Sequence, residues 1–150
     1  MTPRELSTGT VTAKLAQISE LLDILDTMGE VQLQQIRTDA VLRLALERIL
    51  TQLVELAAST NAHVAAAKGT SRATGTYRES FALASGVGAL PDDLATRLAP
   101  SAGPRNILVN SYADVDWQRV VDSIPNFRTD YRDYVRHVAR WLQREAANRP

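Results

Sequence analysis

The chain has no cysteine. Disulfides, thiolate nucleophiles and cysteine-based zinc sites are therefore excluded. It has only two histidines, His63 and His137, too few for a histidine-rich metal site, and no metal or other cofactor is expected. Neither sign of charge is in excess: 17 basic and 17 acidic side chains give a net charge of zero. That balance argues against a protein that coats nucleic acid through bulk charge, but it leaves room for a local basic cleft. Long hydrophobic runs are missing too. The longest leucine-rich stretch, 41–56, is interrupted by Arg43, Glu47, Arg48 and Glu55, so no segment is expected to span a membrane. The first residues, Met1 to Thr10, are polar and lack the apolar core of a signal peptide, so a cytoplasmic protein is expected.

With 150 residues, 45% of them hydrophobic, the chain suits one domain with a real core. The spans 1–9 and 146–150 are expected to be flexible tails. Helical periodicity dominates. Val11, Leu15, Ile18, Leu22 and Leu25 recur at three- and four-residue spacing and predict an amphipathic helix, with Gly29 just past its end. A longer helix is predicted from about Glu30 to His63, with an apolar stripe of Leu42, Leu46, Ile49, Leu53 and Leu56. Its opposite face carries Arg43, Glu47, Thr51 and Glu55, spaced to pair across one turn.

Lys68 to Thr76 turns to glycine, threonine, serine and arginine and reads as a loop. A short helix follows from Tyr77, stopped by Gly86 and Gly88. Pro91 then stands at a first helical position, with Asp92 and Asp93 in the first turn. Pro100 and Pro104 must kink or break the segment that continues through Ile107, Leu108 and Val109. The rest reads as a turn at 114–116, a helix from Trp117 to Ser123, and a last helix opened by Pro125 and striped with Tyr131, Tyr134, Val138 and Trp141. The sum is an all-α bundle of five to six helices.

The segment with chemistry in it is Arg105-Asn106-Ile107-Leu108-Val109-Asn110-Ser111-Tyr112. On a helix, Asn106 and Asn110 share one face, and Arg105 and Tyr112 share a neighbouring one. A polar patch thus sits beside three large aliphatics. The bland reading is a solvated helix end; the sharper one is a polar site set in an apolar surface.

This pattern resembles the HepT-like branch of the HEPN family, in which Arg-Asn, three mostly aliphatic residues and His-x-Tyr are followed by a short acidic turn. Here Asp114-Val115-Asp116 supplies that turn. Upstream, Tyr77-Arg78-Glu79-Ser80-Phe81, the helix opening at Leu90-Pro91, Glu47-Arg48 and Asn61-Ala62-His63 fit the same family in the same order, over roughly 37–121. The resemblance implies a helical homodimer whose two motifs form one cleft, where RNA is cut without metal. It also implies a minimal nucleotidyltransferase (MNT) antitoxin as partner, which adds AMP to the motif tyrosine. Arg105 would then hold phosphate, Asn106 would orient the site, and Tyr112 would accept AMP. Arg43, Arg48 and Arg78 are possible RNA contacts, although a solvated face with ion pairs explains them as simply.

One position departs from the pattern. Asn110 stands where the family has histidine. An amide cannot exchange a proton near neutral pH, so the chain as written is expected to be a weak or inactive nuclease. Asn110 fits both a substitution that silences a toxic protein and a natural member whose role has moved to binding a nucleotidyltransferase or a nucleotide. Arg132 to His137 also spells Arg-x-x-x-x-His, but no asparagine follows the arginine, no His-x-Tyr ending follows, and it lies in the last helix. His137 is expected to be a half-exposed residue of that helix. His63 is read as a favourable imidazole near a helix C-terminus.

Overall fold

The computed structural model describes residues 6–69, 76–110 and 114–148, apart from the side chain of Asn110. Among these residues there are seven α-helices, one 3₁₀ turn and no strand: α1 (Thr8–Thr27), α2 (Leu33–Thr38), α3 (Ala40–Ala67), α4 (Tyr77–Gly86), α5 (Asp92–Leu98), the 3₁₀ turn (Ala99–Ser101), α6 (Ala102–Asn110) and α7 (Trp117–Ala147).

Local chemistry sets the boundaries. Ser7 caps α1 by accepting the Thr10 N–H at 3.2 Å. Its own N–H donates to His63 Nε2 at 3.1 Å, which ties the start of α1 to α3. Gly29 follows the α1 cap at φ 63°, a left-handed turn that favours glycine. The single helix expected from Glu30 to His63 is two helices. Asp39 ends α2, and its carboxylate accepts the Leu42 N–H at 3.1 Å, so the chain caps a new helix instead of continuing the old one. That break adds a short element, and α3 runs on to Ala67. Thr76 caps α4 in the same way, through the Glu79 N–H.

Pro91 caps α5 from outside, one place earlier than expected, with Asp92 and Asp93 in the first turn as read from the sequence. The two later prolines fall where helices start. Pro100 sits in the 3₁₀ turn, and Pro104 in the first turn of α6, where no backbone N–H needs an intrahelical acceptor.

The largest departure is α7. Pro125 does not open a helix but lies inside one of 31 residues. Proline removes one ladder bond there. Packing compensates, because Val120, Ile124 and Phe127 on either side are all buried. The stripe of α7 then continues through Tyr131, Tyr134, Val138 and Trp141, each at most 3% exposed. It packs along α1 and reaches α3 through Tyr134, and Leu15, Ile18 and Leu22 of α1 and Leu50, Leu53 and Val54 of α3 belong to the same core. Each such side chain contributes about 1.5–3 kcal/mol by burial.

A buried polar chain crosses this core. The Tyr134 hydroxyl donates to Asn61 Oδ1 at 2.6 Å, with the Ala57 carbonyl also within reach at 3.1 Å. Asn61 Nδ2 donates to Ser80 Oγ at 3.1 Å, and Ser80 donates to the Tyr77 carbonyl at 2.6 Å. Phe81 meets the Tyr134 ring edge-on, centroids 6.1 Å apart. The chain therefore fixes α4 to α3 and α7, and with it the position of Tyr77. No helix among the described residues is long and apolar enough to cross a membrane.

Candidate functional site

The site forms where α6 crosses α3 and α4. Tyr77, the first residue of α4, lays its ring under the Arg105 guanidinium, with Cζ 4.4 Å from the ring centroid. Arg105 Nη2 donates to Tyr77 Oη at 3.1 Å and to Glu55 Oε1 at 3.0 Å. Arg105 Nη1 donates to Asn106 Oδ1 at 3.3 Å, while Nε is buried without a hydrogen-bond partner. The Arg105 side chain is only 15% exposed. Arginine suits this place because its planar fork can stack on a ring and donate in several directions at once.

The clamp explains motifs that the sequence presented only as a pattern. Tyr77 is the ring under the arginine. Ser80 and Asn61 belong to the buried chain that fixes α4, and Phe81 is core. Glu55 was placed on the polar face of its helix, in register for pairing along that helix. Its partner is instead Arg105, 50 positions away, and spacing on one helix carries no signal for that. Arg43 likewise does not pair within its helix. It donates to the Ile36 carbonyl at 3.0 Å and ties α3 to α2. Arg48 and Arg78 are exposed.

Asn106 is exposed and lies against Arg105, and Asn110 is the last residue of α6, one turn further on. Tyr112 lies outside the described residues. Ile107 and Leu108 are half-buried and pack on the core, whereas Val109 is 41% exposed. On α3, Val41 and Leu44 are exposed by 79% and 61%. In the second Arg-x-x-x-x-His, Arg132 bonds Asp23 at 2.7 Å and Asp26 at 2.9 Å, and these two carboxylates hold it more firmly charged. His137 is half-buried.

Other titrating groups lie in the core or on its rim. Burial pushes the Tyr131 and Tyr134 hydroxyls up, so both stay neutral; Tyr134 donates to Asn61, and the Tyr131 hydroxyl shares a hydrogen bond with Ser101 Oγ at 2.9 Å. Asp130 is 8% exposed; burial raises its carboxyl above the usual range, partly opposed by Arg97 at 3.4 Å.

A family model described as "Ribonuclease HepT-like" matches residues 15–138. The chain belongs to the HepT-like ribonuclease family. It is 30% identical over 132 residues to the tRNA nuclease HepT of Aphanizomenon flos-aquae (strain 2012/KM1/D3), covering 88% of this chain and 89% of that protein. Its fold matches a tri-AMPylated Shewanella oneidensis HEPN toxin solved in complex with its MNT antitoxin, at a TM-score of 0.76 and 18% identity, covering 89% of this chain and 99% of that one. The cytosolic protein YutE of Bacillus subtilis, of unknown function, matches at a TM-score of 0.80 and 17% identity, covering 97% and 96%.

Proposed function

We propose that this chain is the ribonuclease half of a toxin–antitoxin pair, a single domain that cuts RNA without metal in a cleft shared by two copies, and that Asn110 weakens or silences it. The observation that carries the reading is the Arg105 clamp: a stacked, largely desolvated guanidinium on the motif helix, able to steady the phosphate charge that grows during cleavage. The Aphanizomenon relative's name points to tRNA as the first substrate to try. Homodimerisation would cover the exposed apolar residues Val41, Leu44 and Val109, and would bring two copies of α6 together. An MNT-type nucleotidyltransferase is the proposed antitoxin, with Tyr112 as the AMP acceptor.

Asn110 limits the chemistry. The attacking ribose hydroxyl must lose a proton, and an amide has no pKa to accept it. Losing such a group costs about 10²–10⁴-fold in rate. Asn110 also favours a second reading, a non-catalytic module that binds the nucleotidyltransferase or a nucleotide. The two are separated by incubating tRNA, with metal chelated, with the chain and with its Asn110→His variant. Cleavage restored by histidine supports the nuclease. An inert but dimeric histidine variant supports the binding module.

A further inference from the structure

Arg105 is a committed cation. Nη2 donates to Tyr77 and Glu55 and one Nη1 hydrogen to Asn106, and Glu55 offsets part of the charge, which leaves the second Nη1 hydrogen for a single phosphate. RNA carries a charge at every nucleotide, and the chain has no net positive charge with which to attract it. An uncommitted cation beside the motif helix would therefore matter more here than in a basic protein.

The structure holds one, at a place the sequence did not single out. The Arg119 guanidinium lies directly on the bare backbone of Gly103, in the first turn of α6. A Cβ built on Gly103 would stand 3.0 Å from Arg119 Nη2 and 3.8 Å from Cζ. Gly103, Asn106 and Asn110 are spaced i, i+3 and i+7, so they share one stripe of α6. Arg119 covers the beginning of the stripe, and Asn110 ends it about 10 Å further along the axis. Arg119 is exposed, and among the described residues its side chain makes no ion pair or hydrogen bond.

Neither residue suits the fold alone. Glycine is a weak helix former. Arg119 is the third residue of α7, where the dipole disfavours a cation, and no acidic residue lies in that first turn. Asp116 takes only the Arg119 backbone N–H. The other arginines considered for RNA lack this placement: Arg43 is tied to Ile36, and Arg48 and Arg78 stand on other helices.

We propose that Arg119, seated on Gly103, is a second phosphate-binding residue for RNA, holding a nucleotide that flanks the one at Arg105 and residue 110. This rests on the ribonuclease reading and extends its site along the Asn106–Asn110 stripe.

The test is binding of a labelled single-stranded oligoribonucleotide by fluorescence anisotropy across a salt series, with thermal midpoints measured alongside. Arg119→Gln is expected to weaken binding about tenfold at low salt and to flatten the log–log salt slope by about 0.7. Its thermal midpoint should stay level or rise. Gly103→Ala, which gives the helix a better former and pushes the guanidinium aside, should also raise the midpoint while weakening binding. Arg140→Gln makes the same charge change roughly 30 Å along α7 and should leave affinity and slope unchanged. If Arg105→Ala weakens binding and Arg119→Gln does not, the Arg119 assignment is overturned and the ribonuclease reading stands. Equal losses from Arg119→Gln and Arg140→Gln overturn it too, since the effect is then bulk charge. If the unsubstituted chain does not bind at all, both readings fall.

Discussion

Replacing Tyr134 by phenylalanine removes one hydroxyl from the centre of the molecule and tests whether the buried polar chain holds α4 and the site in place. The ring is 0% exposed and stays, so its contact with Phe81 is kept and no sizeable cavity opens. The Ala57 carbonyl loses little, because it lies mid-helix and accepts a backbone N–H in any case. Asn61 Oδ1 loses the donor that met it at 2.6 Å, and Asn61 is 0% exposed, so water cannot replace it. One orphaned buried acceptor costs about 1–3 kcal/mol. For a chain of this size the thermal midpoint should drop by roughly 2–12 °C. In urea the midpoint should fall with the slope unchanged. Loosening Asn61 also loosens Ser80 and Tyr77, so oligoribonucleotide binding should weaken below the melting range. A stability loss under about 0.5 kcal/mol, the size of an ordinary surface change, would refute the reasoning.

Two further outcomes follow from the same structure. Burial disfavours the charged form of Asp130 and holds its carboxyl above the usual carboxylate range, so the folded state binds more protons than the unfolded one. Stability should fall as pH rises from the ordinary carboxylate range through the raised value, and Asp130→Asn should remove that part of the slope in urea midpoints measured from pH 4 upward. Leu44→Glu places a charge on the exposed apolar face of α3. It should shift the mass in light scattering from dimer to monomer with an unchanged helical spectrum, and an unshifted dimer would remove this face from the proposed interface.

The sequence showed the helical class and most of the core directly, because a helix buries one stripe and the stripes of α1, α3 and α7 are regular. It misplaced boundaries where a single residue decides between two local solutions. Asp39 can ride within a helix or cap the next one, and the side-chain bond that decides is visible only in the fold. Pro125 reads as a helix start because it costs a ladder bond, yet the buried residues on both sides outweigh that cost. The motif helix was legible in Arg105 and Asn106. Glu55 and Arg119 were not, because each reaches the site from another helix. Gly103 is the signal that could have pointed to Arg119, since a glycine in a helix invites a close approach.

Arg105 and residue 110 are proposed to act together on RNA. The most direct measurement is the rate of tRNA cleavage, with metal chelated, by four chains: unsubstituted, Arg105→Ala, Asn110→His and the double variant. Histidine at position 110 should raise the rate by about 10²–10⁴-fold, and most of this gain should vanish when Arg105 is alanine. A gain that survives intact without Arg105, or no gain from histidine in a folded dimer, would contradict that joint action.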